Sequence, residues 1–171
     1  MSEKDTTASS TPTPAPSPME LVLQFHHTYS VPIRPFSDPT LDYERMNMRM
    51  SLIAEEFAEL MGAVYGPRAR AIIEAATAEA VAADEGERDV IEAADALADL
   101  VYVVYGMAIE SGMNLDSVLA EVQASNLSKL MPAGSVKLRE DGKVLKGPNF
   151  FQPNIARGLG LESPTDSGEA D

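Results

Sequence analysis

The stretch "AEEFAEL", residues 54–60, places Glu55, Glu56 and Glu59 among Ala54, Phe57, Ala58 and Leu60, residue types that belong in a helix core. A second stretch, "EAADALADL" at 92–100, does the same with Glu92, Asp95 and Asp99. At about 100° per residue the first three carboxylates fall within a sector of roughly 100°, and the second three within about 60°. Each set is therefore one stripe on one helix. Leu52 and Ala63 continue the first stripe, and Val103 and Met107 the second. A solvated face stays polar along its length, so an acidic stripe that runs into apolar residues predicts a helix turned toward a bundle or cleft.

Around these two stretches the apolar spacing is helical. It predicts helices over 19–30, 41–65, 68–84, 88–112 and 115–131. Pro39-Thr40 precedes the second, Gly66-Pro67 separates the second from the third, Gly112 stops the fourth and Asn114 caps the fifth. The segment "LREDGKVLKGPNFFQP" breaks the pattern after Pro132, with Asp141-Gly142 as a turn signal in a turn-rich arm that has room for a small hairpin. The expected fold is an all-α bundle of four to five helices spanning residues 19–160. The Ser, Thr and Pro-rich segment 1–18 and the tail 161–171 have little to bury and are expected to be disordered.

Composition excludes several functions. There is no cysteine among the 171 residues, so disulfide and thiolate chemistry are absent. A formal net charge of -14 argues against nucleic-acid binding, which needs basic surface to displace counterions from phosphates. The chain shows neither a membrane-length apolar run nor a signal-peptide pattern, and a cytoplasmic location without membrane association is expected.

Carboxylates clustered inside a bundle must protonate or bind cations. Two like charges about 4 Å apart repel by about 4 kcal/mol at an effective dielectric of 20. Hard divalent ions take oxygen ligands, and four or five carboxylates from two helices would hold two or more Mg²⁺ or Mn²⁺. A di-iron bundle would use Glu-x-x-His pairs, but His26 and His27 are the sole histidines and lie in the first helix. Glu74, Glu79, Asp84, Glu85 and Glu87 decorate an alanine-rich helix and its end, as surface charge does.

The pairing of E-E-x-x-E (Glu55, Glu56, Glu59) with E-x-x-D (Glu92, Asp95) resembles the metal motif of the MazG-like all-α nucleoside triphosphate pyrophosphohydrolases. The resemblance continues through "SNLSKL" and "DGKVLKGPN", although the interval from Glu59 to Glu92 is longer than the family's commonest spacing. The opening "QFHHTYSVP" is most similar to the house-cleaning branch that hydrolyses dUTP. The resemblance implies cleavage between the α and β phosphates of a (deoxy)nucleoside triphosphate, giving a monophosphate and pyrophosphate. It also implies Glu55, Glu59, Glu92 and Asp95 as principal metal ligands, with Glu56 bridging ions or deprotonating water as the catalytic base. Asp99 serves either as a further ligand or in a helix-helix hydrogen bond.

Phosphates also need protein cations. Lys129 at the end of the fifth helix, with Asn126 three residues earlier on the same face, suits substrate binding as well as the helix dipole. Lys143 and Lys146 either clamp phosphates or are solvated loop lysines, and Asn149 has a place in ordering the arm. Gln24 and Phe25 are candidates to hydrogen-bond and stack on the base, although Phe25 by itself reads as core packing. Tyr102 and Tyr105 read as packing residues. The segment "LVYVVYGMAI" is apolar over most of its circumference and should be covered on more than one side. With the resemblance, this implies a homodimer or a dimer of dimers. Two alternatives share these features: a phosphoribosyl-ATP pyrophosphohydrolase, and a non-catalytic acidic helical interaction protein.

Overall fold

The structure, a computed structural model, describes residues 14–140 and 142–162. Most of both expected tails and Asp141 of the expected turn lie outside the described residues. Helix α1 (Pro18–Thr28) begins one residue earlier than expected, because Ser17 and Glu20 form a reciprocal capping box ahead of Pro18. Helix α2 (Met46–Tyr65) begins five residues later than expected. The Thr40 hydroxyl accepts the Asp42 N–H at 3.0 Å, and Tyr43 and Met46 donate to Leu41 and Tyr43. Successive tight turns thus take the backbone groups that a longer helix would have used.

Gly66, at φ 94°, reverses the chain, and Pro67 opens α3 (Pro67–Ala82) at its first position. α2 and α3 pack closely as a hairpin. Ala58 is 1% exposed, and a Cβ at Gly62 would lie 3.1 Å from Arg70 Cβ, so small residues set this contact. The connector to the next helix is tied by Arg88, which donates to both Asp84 oxygens at 2.9 and 2.8 Å, and by the Gly86 N–H on Asp84. Asp89 then caps α4 (Val90–Glu110), and Asn114 caps α5 (Leu115–Leu127) as expected. α5 ends four residues before the expected 131, which leaves Lys129 just beyond it.

A one-turn helix α6 (Ile155–Gly158), not anticipated from sequence, packs on α5. Its Arg157 makes a bidentate pair with Glu121 at 2.7 Å, and Gly158 lies against Val118. The arm carries a single antiparallel bridge between Leu138 and Val144, closed by Arg139 N–H to Lys143 and Leu145 N–H to Lys137. Gly147 pins the arm to the end of α5: its N–H donates to the Lys129 carbonyl, and a Cβ there would drive into the Leu130 carbonyl. Among the described residues no helix is long and apolar enough to cross a membrane.

α1 packs on α5 through Tyr29, which is 1% exposed and shares its hydroxyl proton between the carbonyls of Asn126 and Leu127 at 2.8 and 2.9 Å. α4 departs from expectation. Among the described residues it makes no extensive interface with α2, and Ile91, Tyr102 and Ile109 are 83%, 80% and 75% exposed. Tyr102 is therefore not a packing residue within one chain, and Tyr105 is tied instead to Asp116 at 2.8 Å. α3 already covers the small-residue side of α2.

Tyr29→Phe removes one α1–α5 tether and leaves two half-buried carbonyls without that donor, so it should cost about 1–3 kcal/mol of unfolding free energy, measured by urea titration.

Candidate active site

The acidic stripe of α2 faces the arm and the end of α5. Lys143 Nζ lies 3.1 Å from Glu55 Oε2, and Arg70 of α3 lies 3.3 Å from Glu59. Glu56, between them, lines a cavity of about 240 Å³ together with Phe25, Arg49, Asn126, Lys129 and Lys143. Partial burial and the neighbouring charges of Glu59 and Glu55 push the Glu56 carboxyl above its ordinary value, while Lys143 and Lys129 pull it back. Lys129 is held across the cavity by Asn126 Oδ1 at 2.6 Å, with its ammonium 6.0 Å from the Phe25 ring centre. Burial, then repulsion from Lys146 and Lys143, lowers the Lys129 pKa. A group that resists ionisation faces cations that resist crowding, a combination suited to an anionic ligand and a proton-accepting carboxylate.

Seven of the expected residues thus come together: Glu55, Glu56, Glu59, Phe25, Asn126, Lys129 and Lys143. Lys146 is close enough to repel Lys129, but its ammonium rests 4.3 Å from the Phe150 ring centre. Gln24 is turned toward α5, where its carbonyl accepts from Gln123 at 3.0 Å. Glu92, Asp95 and Asp99 sit on the exposed α4, away from the α2 stripe. Among the described residues no group of three or more acidic or histidine side chains is placed to hold a metal ion. The α2 carboxylates are the hard oxygen donors that Mg²⁺ or Mn²⁺ prefers, but the described residues do not gather a set that fits such an ion, and Glu55 and Glu59 are engaged with cations.

Three residues in the site escaped the sequence analysis as substrate contacts. Arg45 and Arg49, one turn apart at the start of α2, line the cavity, and neither pairs with a carboxylate among the described residues. The first turn of α2 carries no acidic residue and no side-chain cap. Two guanidiniums at the positive end of a helix are electrostatically unfavourable unless an anion joins them. Arg49 Nη2 lies 3.0 Å from His26 Nε2, and His26 Nδ1 lies 3.0 Å from the Pro32 carbonyl. Arginine can only donate, so Nε2 must accept and Nδ1 carries the proton. Burial, followed by the Arg49 and Arg45 charges, lowers the His26 pKa. The i, i+4 spacing of Arg45 and Arg49 was legible, but an expected helix start at 41 hid their position at the N-terminus. Beyond His26 and Arg49 opens a larger, mostly apolar cleft of about 650 Å³, lined by Val22, Leu23, Ile33 and Phe36 and by Ala94 and Leu97 of α4.

The profile of the phosphoribosyl-ATP pyrophosphohydrolases matches residues 22–126, which carry α1, α2, α4, both acidic stripes and Asn126. The chain belongs to that family. Its fold is MazG-like and all-α, and its activity class is hydrolysis of phosphoric anhydrides. The crystal structure of a candidate NTP pyrophosphohydrolase from Exiguobacterium sp. 255-15 superimposes with a TM-score of 0.63 at 25% identity, covering 84% of this chain and 94% of that one. No curated protein matches the chain significantly. In this pyrophosphohydrolase the matched region stops at Asn126, so Lys129 and the arm that completes the cavity lie beyond what the family profile describes.

Because the folded-state pKa of His26 lies below its ordinary 6.5, folding disfavours the proton, and the stability it supports is present above 6.5 and lost as pH falls below it. The unfolding midpoint should therefore drop on acidification below 6.5, and His26→Gln should flatten that drop in thermal melts between pH 7 and 5. Arg49→Ala should raise KM by about tenfold with kcat less affected, as loss of a charged phosphate contact does.

Proposed function

We propose that this pyrophosphohydrolase cleaves the α–β bond of (deoxy)nucleoside triphosphates, dUTP among them, to a monophosphate and pyrophosphate, and so clears the cytoplasmic nucleotide pool. The observation that carries this reading is the cavity where Glu56, raised above its ordinary pKa, faces Lys129, Lys143 and Arg49. Three cations around one carboxylate suit a polyphosphate chain with a water molecule beside it. Arg49 and Arg45 take terminal phosphate oxygens at the open end of α2, and Lys129, oriented by Asn126, meets the phosphate nearest Glu56. Glu56 accepts the proton of the attacking water, for which a pKa nearer the working pH is an advantage. Phe25 and the adjoining apolar cleft, reached past His26 and Arg49, suit the base and sugar.

Mg²⁺ or Mn²⁺ belongs to this proposal as the cofactor that offsets phosphate charge, with two or more ions per site. A homodimer or dimer of dimers belongs to it as well, since the exposed apolar length of α4 needs cover that one chain does not give. The family profile favours a second reading, phosphoribosyl-ATP as the substrate, which the same cavity and the same anhydride chemistry accommodate.

Pyrophosphate release from a panel of ribo- and deoxynucleoside triphosphates and phosphoribosyl-ATP, with Mg²⁺, Mn²⁺ or EDTA, decides between them. The expected outcome is metal-dependent release from triphosphates, dUTP included, that Glu56→Gln lowers by about a hundredfold or more in kcat. Turnover of phosphoribosyl-ATP alone would replace the triphosphate reading with the second. The acid limb of kcat/KM should have its midpoint above the ordinary carboxylate value of 4.5, and Lys143→Ala should move it higher, because Lys143 opposes the rise.

A further inference from the structure

We infer that His26 is the positioning residue for Arg49, holding that guanidinium on the cavity wall in the orientation that takes a phosphate group. This rests on the pyrophosphohydrolase reading above and deepens it. The imidazole is fixed from several sides. Its Nδ1 donates to the Pro32 carbonyl at 3.0 Å, and the carbonyl of His26 itself accepts the Val31 N–H at 2.9 Å. The Phe25 ring stands edge-on to it, with ring centres 6.5 Å apart. The turn that brings Pro32 back onto the ring passes through Ser30 at φ 53°, a left-handed conformation that no other non-glycine among the described residues adopts and that costs energy in any residue with a side chain. Tyr29 and Val31, on either side of Ser30, are 1% and 6% exposed, so burial holds that turn in place. The remaining ring nitrogen, Nε2, is thereby aimed at one spot, and Arg49 Nη2 occupies it at 3.0 Å.

The choice of acceptor matters as much as its placement. Arg34, Arg70, Arg88 and Arg157 are each held by a carboxylate, which orients the guanidinium and also neutralises it. Arg49 is held by a neutral ring. An imidazole nitrogen takes one N–H and leaves the positive charge and the other donors for a ligand. Burial, then repulsion from Arg45, works against that charge, and Lys129 and Lys143 line the same cavity. In such a field an untethered arginine side chain turns away from its cationic neighbours. The bond to His26 keeps it on the wall, so the fold supplies the orientation before an anion arrives, and less ordering is left for binding to do.

Binding of inorganic tripolyphosphate, followed by calorimetry, and the kinetics of pyrophosphate release test this on the full chain. His26→Leu removes the acceptor and is expected to weaken tripolyphosphate binding and raise KM by about tenfold, with kcat changed less than about twofold. His26→Met takes its place if the leucine variant does not fold. His26→Gln, whose amide oxygen reaches about as far as Nε2, should restore most of the loss, which a change in packing alone would not do. In an Arg49→Ala background His26→Leu should cost nothing further, because a residue that acts through Arg49 then has nothing to position. The inference is overturned if the wild type binds no tripolyphosphate, if His26→Leu binds it as the wild type does, if glutamine is no better than leucine, or if the loss is the same with and without Arg49. An active wild type whose KM is indifferent to His26 overturns the inference and leaves the enzymatic reading standing. A chain that hydrolyses no nucleotide yet shows the coupled loss of tripolyphosphate keeps His26 and Arg49 as an anion site and overturns the activity instead.

Discussion

The buried hydroxyl of Tyr29 is the constraint on which the site depends. It binds the last carbonyls of α5 at Asn126 and Leu127, so the first helix is fixed against the point where the fifth ends. Phe25, one turn before Tyr29 and 4.6 Å from its ring, is thereby placed under Lys129, and Asn126 is held with its side chain toward the Lys129 ammonium. His26, next along α1, reaches Arg49 at the start of α2. Tyr29, together with Gln123 bonded to Leu21 and Gln24, thus sets the registry of α1 on α5. Gly147 does the corresponding work for the arm, since its lack of a Cβ lets the chain lie against the Leu130 carbonyl and brings Lys143 and Lys146 close to Lys129.

The site is built from opposed electrostatic strains. Glu56 is partly buried beside two other carboxylates, and Lys129 is partly buried beside two other lysines. Each cluster is unfavourable by itself, and their juxtaposition relieves both. Arg45 and Arg49 add two further cations at the start of α2. α1, α4 and α5 begin with Ser17, Asp89 and Asn114 as side-chain caps, whereas α2 and α3 begin without one, and the Met46 N–H of α2 is taken by the Tyr43 carbonyl instead.

α4 is where the fold departs furthest from its sequence pattern. Its sequence has the apolar content of a central helix, yet its side chains are exposed along nearly its whole length. That exposed surface and the divided acidic motif are two views of one topology.

Much of this was legible in the residues themselves. The 3.6-residue period gave five long helices because amphipathic spacing and capping residues are local properties, and Asn114 and Gly66-Pro67 marked their ends correctly. The acidic stripe of α2 and the lysines that meet it could be named because like charges on one helix face demand counter-charges. The misplaced start of α2 followed from turns made by Thr40 and Tyr43, which compete with the helix through hydrogen bonds that periodicity does not register. The four-residue α6 was too short for any period, and its Arg157–Glu121 pair spans helices that only the fold brings together. Tertiary structure alone decided that Gln24 turns to α5, that Arg70 takes Glu59 and that α4 stands apart from α2. A sequence determines which face a helix presents, because that is set within a few residues; which surface that face meets depends on the path of the whole chain.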